Sequence, residues 1–285
     1  MKNLIYQYWD GSIKESCRAG IANLKEYAER IGAEHIFEDN PRFVNNLGSY
    51  SPHYGAFKPI YDNAYTDYNN ILFCDTDIFA LDGLTDNIFD YFTASNAEIG
   101  ICTEPLQPEL RQKTDSKIIN HSTDEKWANL IKQHYGVDVP RDEQNRMKVY
   151  NSGVVIYSRK GLDKAKENFP KFKDYANLIN KNGLPAFYTC DQPFLHAMIF
   201  VHKFDILEMD NEWNRYITWA NKNPKTICDP RTKDTKFVHI MFRSADNLSA
   251  EQHNKIANLP IEEWGVDKDG DKFIRGDCLT GAPLK

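Results

Sequence analysis

Cysteine is scarce in this chain of 285 residues, and the few cysteines are not spaced as metal ligands. None of them forms a Cys-x-x-Cys pair, which is a common spacing in zinc sites. Scattered cysteines of this kind favour reduced thiols in a cytosolic protein without a zinc site. The six positions are Cys17, Cys74, Cys102, Cys190, Cys228 and Cys278.

The sequence also lacks long apolar runs and an excess of basic charge. No apolar stretch approaches the roughly 18 residues of a membrane span, and residues 1–6 already read as a strand, with no signal-peptide core before it. The formal net charge is -6, which does not suit a nucleic-acid surface. We therefore expect a soluble, cytoplasmic protein with no nucleic-acid partner, in which phosphate could still bind locally through a metal ion.

Apolar residues are plentiful enough for a sizeable core, since 41% of the chain is hydrophobic and 13% aromatic. The length suits one large domain, or one domain with a substantial insertion. Residues 3–8 read as a strand, and the capping-box pattern Ser12-Ile-Lys-Glu15 predicts a helix whose apolar periodicity ends at Gly32. With a second strand over 34–38, the chain opens as β-α-β, which predicts a doubly wound α/β sheet.

A strand that ends in two carboxylates is the most informative stretch. Ile71 to Cys74 are all apolar, which predicts a parallel strand covered on both faces. Asp75 and Asp77 follow, and they share a side-chain direction because strand side chains repeat every two residues. They would face the crevice in which α/β sheets bind ligands, and two hard oxygen ligands suit a divalent cation. The alternative is a strand end with two solvated acids.

A second candidate segment, Asn151-Ser152-Gly153, runs directly into a β-branched strand. Gly153 permits close approach of the backbone to a ligand, and Asn151 offers hydrogen-bond donors and acceptors. These residues are also ordinary in turns, so a turn into a buried strand is an equal alternative.

Two more polar sites lie later in the chain. Thr189, Asp191 and Pro193 read as a helix start, where Asp191 could be no more than a favourable partner of the helix dipole. His239 lies inside the apolar run of the last predicted strand, where a lone histidine is more often a core residue than a ligand. Elsewhere we expect helices over about 56–68 and 162–179.

The order of four motifs resembles that of the GT-A nucleotide-sugar glycosyltransferases, and most closely the glycogenin-like family 8. The motifs are Asp75-x-Asp77, Asn151-Ser152-Gly153, Asp191-Gln192 and His239. The resemblance covers about residues 3–242 and implies a GT-A fold, a Rossmann-like, mostly parallel mixed sheet flanked by helices. We expect a catalytic domain over 1–248, with an insertion over the crevice at 103–148, and a C-terminal extension over 249–285 packed on it.

The resemblance also implies the ligands. Asp75, Asp77 and His239 would hold Mn²⁺, or Mg²⁺, against the pyrophosphate of a donor that we expect to be UDP-linked. Lys58 lies 17 residues before Asp75 and matches a basic residue that touches the donor in family 8. The glycine-lysine motif that family 8 carries after its metal histidine is absent, and Arg243 could add positive charge near the leaving group instead.

The first strand departs from family 8. Tyr6-Gln7-Tyr8-Trp9 looks like the Gln-x-Trp opening of polysaccharide-type sugar transferases and large clostridial toxins, in which the tryptophan stacks on the nucleobase. This implies that Trp9 or Tyr6, with Tyr8 between them, contacts the donor.

The sugar contacts are implied by the same resemblance. Asn151, with Ser152 and Gly153, would bind the donor, and Asn151 and Asp191 would fix the orientation of the sugar ring. Asp191 and Gln192 resemble the catalytic pair of retaining transferases, which lies near the anomeric carbon.

These residues together lead us to expect a metal-dependent hexosyl- or pentosyltransferase, which moves a sugar from a nucleotide-diphosphate donor to a glycan or other hydroxyl acceptor with retention. Two alternatives stay open. The Asp-x-Asp could serve a haloacid-dehalogenase-like phosphatase as nucleophile and acid/base, although Ile78 and Phe79 replace the residues usual after that motif. The chain could also be a catalytically silent sugar-nucleotide-binding protein.

Overall fold

The structure is a computed structural model that describes residues 2–218, 232–241, 249–258, 264–266 and 272–274. These ranges contain both strands and helices. The strands are β1 Asn3–Trp9, β2 Glu34–Asp39, β3 Asn70–Cys74, β4 Ile78–Ala80, β5 Ile99–Thr103, β6 Tyr150–Ser158, β7 Ile206–Met209, β8 Arg215–Thr218, β9 Phe237–Met241, β10 Trp264–Val266 and β11 Lys272–Ile274. The helices are α1 Glu15–Ile31, α2 Lys58–Tyr61, α3 Ile88–Thr93, α4 Gln107–Lys113, α5 His121–Tyr135, α6 Arg159–Asn168, α7 Phe172–Lys181, α8 Asp191–Val201 and α9 Ala250–Ala257.

The main sheet has six strands in the order β2-β1-β3-β6-β5-β7. β1 is parallel to β2 and β3, and β5 is parallel to β7. β6 is antiparallel to both of its neighbours, β3 and β5. The predicted β-α-β opening and the mostly parallel mixed sheet are therefore both present. Because β6 is antiparallel, its first residues lie beside the carboxyl ends of β3 and β5.

A second sheet of three strands, in the order β4-β9-β8, begins immediately after the Asp-x-Asp turn. β4 and β9 are antiparallel, and Ile78 is paired with His239. The chain thus passes from the main sheet to the small sheet through residues 75–77. The turn between the two sheets therefore contains both aspartates.

The core lies on both faces of the main sheet, as the continuous apolar strand predicts. Tyr6 and Phe73 belong to the face covered by α5, α6, α7 and α8, which is rich in aromatic rings. Ile5 and Leu72 belong to the opposite face, which is covered by α1 and α3. The alternation along β1 and β3 follows the period of two residues that a strand imposes.

Several element boundaries differ from the sequence-based expectations. The helix expected over 162–179 is two helices, α6 and α7, since Pro170 lies between them and cannot donate to a continuing helix. The helix expected over 56–68 is instead a 3₁₀ turn over Gly48–Phe57, the short α2 and a second 3₁₀ turn. α1 begins at Glu15, and its N-cap Lys14 makes no side-chain capping bond, so the box predicted at Ser12 does not form.

The segment 103–148, which the sequence predicts to be an insertion, holds α4 and α5. A capping box formed by Asn120 and Thr123 starts α5, whose Trp127 and Ile131 are fully buried in the main core. In the C-terminal segment, α9 packs against α1, β4 and β9. Within the residues that the structure describes, no helix combines the length and apolar character that a bilayer span requires.

Candidate active site

The Asp-x-Asp turn is held in place from two sides. The amide of Asp75 donates to the carbonyl of Gly153 at 2.8 Å, and the amide of Ile78 donates to the carbonyl of Asp75 at 3.2 Å. On the other side, Gly20 of α1 lies so close that an added Cβ would meet the Thr76 carbonyl oxygen at 2.0 Å. Gly20 therefore lets α1 approach the turn, a role that a lone helical glycine did not reveal in the sequence.

The two aspartates and His239 converge on one point. Ligand atoms of Asp75, Asp77 and His239 all lie within 4.8 Å of one another, and Nε2 of His239 is 3.3 Å from Oδ1 of Asp77. The pairing of β4 with β9 brings His239 there, and the amide of Ile240 donates to the carbonyl of Asp77 at 2.9 Å. Residues that lie far apart in the sequence thus form one cluster at the carboxyl edge of the main sheet.

The electrostatics of this cluster suit a bound cation. Burial raises the pKa of Asp75 to about 7, with further contributions from the carboxylates of Asp77 and Asp191. Burial lowers the pKa of His239, but the carboxylates of Asp77 and Asp75 outweigh it and raise that pKa above its ordinary value. Negative charge is therefore crowded into a partly desolvated space, and a cation would relieve it.

The donor set fits a divalent metal ion. Two carboxylates and one imidazole are ligands that Mn²⁺ accepts readily, with positions left for ligand oxygens. Among the described residues, Nε2 of His239 is a buried nitrogen with no hydrogen-bond partner, and it faces this cluster. A metal ion would satisfy that nitrogen.

Gly153 forms the floor of the cluster. A Cβ added there would lie 2.7 Å from the His239 ring, 2.9 Å from Oδ1 of Asn151 and 3.0 Å from Oδ2 of Asp75. The β5–β6 register jumps at this point, from Ile101 opposite Val155 to Cys102 opposite Asn151, which lifts the Asn-Ser-Gly segment out of the regular ladder. Such irregularities commonly redirect side chains next to active sites.

A chain of amide side chains runs from Glu104 to the cluster. Nδ2 of Asn151 donates to Oε1 of Glu104 at 2.9 Å, and Nδ2 of Asn214 donates to Oδ1 of Asn151 at 2.9 Å. Oδ1 of Asn214 is 3.1 Å from Nδ1 of His239. Sequence analysis predicted Asn151 and His239 but missed Glu104 and Asn214, because single polar residues after a strand or a 3₁₀ turn carry no pattern.

Asp191 and Gln192 begin α8 at the same edge of the sheet. Asp191 is buried, and burial raises its pKa, while His53 and a hydrogen bond with Ser152 act in the opposite direction. Nδ1 of His53 is 3.7 Å from Oδ1 of Asp191. Nε2 of Gln192 donates to Oε1 of Glu104 at 3.4 Å. The N-cap of α8 is Cys190, and Thr189 ends the preceding 3₁₀ turn, where its hydroxyl donates to the Ala186 carbonyl.

Tyr6 and Lys58, two of the predicted donor contacts, meet at Glu38. Tyr6 is fully buried, and its hydroxyl donates to Oε2 of Glu38 at 3.0 Å. Nζ of Lys58 is 2.6 Å from Oε1 of Glu38. The structure thus brings these two residues together in an ion-paired cluster on the aromatic face of β1. Their contact with a donor stays a prediction.

Tyr8 and Trp9 lie nearer the cluster. Burial raises the pKa of Tyr8 well above its ordinary value, and the carboxylates of Asp191 and Asp75 add to this. Its hydroxyl donates to the carbonyl of His53 at 2.8 Å, and its ring covers Gly55. Trp9 ends β1 half-buried, and its Nε1 finds no hydrogen-bond partner in the described part of the chain. Arg243 lies outside the described residues.

Comparison with known proteins bears on the fold. No protein-family model matches the chain, and the curated proteins give no match. A solved glycosyltransferase involved in the glycosylation of the major capsid of PBCV-1 is similar over 90% of this chain and 98% of its own, at 12% identity and a TM-score of 0.50. The fold is GT-A. The sequence-based prediction of the GT-A fold class is therefore confirmed.

Two other solved structures are similar to this chain at lower TM-scores. The apo form of mouse xyloside xylosyltransferase 1 has a TM-score of 0.47 at 14% identity, over 84% of this chain and 97% of that one. The galactosyltransferase LgtC, in complex with donor and acceptor sugar analogs, has a TM-score of 0.47 at 12% identity, over 91% and 98%. The comparisons give the phosphatase alternative no support.

Proposed function

We propose that this chain is a metal-dependent glycosyltransferase, which moves a sugar from a nucleotide-diphosphate donor, UDP-linked, to a glycan or other hydroxyl acceptor with retention of configuration. The observation that carries the proposal is the convergence of Asp75, Asp77 and His239 at the carboxyl edge of a GT-A sheet. That edge is where open α/β sheets bind their ligands. The expected cytoplasmic location stays a prediction from the cysteine pattern.

Each group of site residues would serve a different part of the transfer reaction. Asp75, Asp77 and His239 would hold Mn²⁺ or Mg²⁺, which when bound stabilises the negative charge of a departing diphosphate as a Lewis acid. Asn151 and Ser152 offer hydrogen bonds to the donor from the floor of the site, beside Gly153. Trp9, with Tyr8 next to it, would place an aromatic ring against the nucleobase. Lys58 and Arg243 are the candidate cations for the leaving group.

Retention is assigned to Asp191 and Gln192. Both residues begin α8, where the positive end of the helix dipole favours a carboxylate, and a carboxylate there stabilises positive charge that develops at an anomeric carbon. Nε2 of Gln192 donates to Glu104 at 3.4 Å, which would help to orient its amide toward a bound sugar. The departing phosphate helps to take the proton of the acceptor hydroxyl, so no separate base is needed.

A screen of nucleotide sugars tests the proposal without knowledge of the acceptor. The purified chain is incubated with each donor and Mn²⁺, and release of free nucleotide is measured. We expect slow hydrolysis of one donor that stops on chelation and in the Asp77→Asn variant, which should fold normally because Asp77 is half-exposed.

Three other results would contradict the proposal. Phosphate release from phosphomonoesters without nucleotide-sugar turnover would indicate the phosphatase. Tight binding of UDP-sugar with no turnover on any acceptor, and no hydrolysis, would indicate a silent binding protein. Full activity in Asp77→Asn would remove the metal site from the mechanism.

A further inference from the structure

We propose that Glu104 and Asn214 are positioning residues that fix the tautomer of His239, so that its Nε2 lone pair points at Asp75 and Asp77. The inference rests on the proposed function insofar as that lone pair serves a metal ion. The tautomer itself is a property of the chain and can be measured without metal.

The first step fixes the orientation of the Asn151 amide. The carboxylate of Glu104 can only accept, and it lies 2.9 Å from one end of that amide, which must therefore be the NH₂ group. The backbone N–H of Gly153 can only donate, and it lies 2.8 Å from the other end, which must be the oxygen. Asn151 is thus held by an obligate acceptor on one side and an obligate donor on the other.

The second step uses the orientation of the Asn151 amide to fix that of the Asn214 amide. Since Oδ1 of Asn151 is an acceptor, the group of Asn214 that lies 2.9 Å from it must be the NH₂. Its oxygen then faces Nδ1 of His239 at 3.1 Å and can only accept from it. Nδ1 therefore carries the hydrogen, and Nε2 of the neutral ring keeps its lone pair. Asn151, Asn214 and His239 are all buried, so water does not compete for these bonds.

The orientation matters because a competing arrangement is close by. Oδ1 of Asp77 lies 3.3 Å from Nε2 of His239. Without Asn214, the neutral ring could donate a hydrogen from Nε2 to Asp77, which would occupy one ligand nitrogen and one ligand oxygen at once. Residues that orient a metal-bound histidine through its other nitrogen commonly change metal affinity by about 10–100-fold when they are replaced.

The first experiment measures the tautomer in the metal-free protein. Long-range ¹H–¹⁵N spectra of histidine-labelled chain, recorded under alkaline conditions in which the ring is neutral, distinguish Nδ1–H from Nε2–H. We expect Nδ1–H for His239 in the wild type and a shift towards Nε2–H in Asn214→Leu. An Nε2–H tautomer in the wild type would overturn the inference, whether or not the chain binds metal.

The second experiment measures Mn²⁺ affinity by titration without any donor. We expect Asn214→Leu and Glu104→Leu to weaken Mn²⁺ binding about 10–100-fold. Glu104→Gln should stay near the wild type, because the Gln side chain also offers an oxygen to Asn151. Asn211→Leu is the matched control, since Asn211 begins the 3₁₀ turn that ends just before Asn214, and its buried Oδ1 has no partner among the described residues.

The outcomes separate this inference from the proposed function. Equal affinity in Asn214→Leu and the wild type, or an equal loss in Asn211→Leu, would overturn the positioning role. An Nδ1–H tautomer in a wild type that binds no Mn²⁺ would support the hydrogen-bond relay and contradict the metal-dependent transferase instead.

Discussion

At position 153 the site has no room for a methyl group. The Cβ of an alanine would come within 3.0 Å of the His239 ring, Asn151 and Asp75, and these are held by other bonds. We expect Gly153→Ala to push the candidate metal ligands apart and to lower both Mn²⁺ affinity and donor hydrolysis by about 10-fold or more. Gly83→Ala is the control, because Gly83 has positive φ but open space around it. It should lower stability through backbone strain and leave Mn²⁺ affinity unchanged.

Asp191 is the residue on which the predicted stereochemistry depends. If its charge acts mainly in the transition state, Asp191→Asn should lower kcat by about 100-fold or more while the donor Kd changes little. Asp205→Asn, at an exposed aspartate, should change neither value. The product's anomeric proton coupling, measured by NMR, checks retention. A β-linked product from an α-linked donor would point to inversion and to a carboxylate base in 103–148.

Trp9, at the end of β1, is the proposed stacking partner of the nucleobase. We expect Trp9→Ala to weaken UDP binding by about 1–3 kcal/mol, the size of a base–aromatic stack, as measured by calorimetric titration. Trp9→Phe should restore much of the loss because it keeps an aromatic face. Unchanged UDP affinity together with a lower Tm would show that Trp9 only covers the core.

At the scale of elements, Glu98 joins three parts of the fold. It lies just before β5, its side chain is 2% exposed, and it accepts from Lys164 of α6 at 2.6 Å and from the amide of Asp205 before β7 at 3.0 Å. Burial alone would raise the pKa of Glu98, but hydrogen bonds from Lys164 and Lys160 outweigh it and lower the pKa to about 2.

This pKa predicts a pH dependence of stability. Folding lowers the pKa of Glu98 from its ordinary value of 4.5, so its ionised carboxylate stabilises the folded protein when the pH is above 4.5. This contribution to the free energy of unfolding is lost as the pH falls towards about 2. Glu98→Gln should therefore lower the free energy of unfolding at neutral pH by on the order of 3 kcal/mol, as urea denaturation would measure, and the gap should shrink in acid. Glu109→Gln, at an exposed pair with Lys113, should behave as the wild type.

Sequence patterns predicted the elements whose signals are local. The apolar run before Asp75 predicted β3, and the opening β-α-β predicted the parallel pairing of β1 and β2. Pro170 indicates a break between α6 and α7, but apolar residues recur at helical spacing on both sides of it. The sequence therefore predicted a single helix. Asp75 and His239 were predicted as site residues because the order of the motifs that contain them matches that of a known family. Glu104 and Asn214 were missed because their proposed roles depend on contacts between distant segments.

At the scale of the whole molecule, the candidate metal ligands connect two sheets. Asp75 and Asp77 follow the main sheet, and His239 belongs to the small one. A cation that binds only the folded chain should raise the free energy of unfolding by about 2.7 kcal/mol at 100 times its Kd. Urea denaturation with Mn²⁺ and with a chelator measures this. The Asp77→Asn variant should show no such gain, and an equal gain there would mean that Mn²⁺ binds elsewhere.

If the proposed cation binds, the pairing of β4 with β9 makes its site a reversible cross-link. Asp77 and His239 are separated by 162 positions in the chain, so a bound ion closes a loop of more than half its length. A disulfide across such a loop would restrict the unfolded chain permanently. An ion at the proposed site would stabilise the folded chain by an amount that rises with the concentration of free cation. Chelation would remove this stabilisation without breaking a covalent bond of the chain, so the concentration of free cation would set the free energy of unfolding.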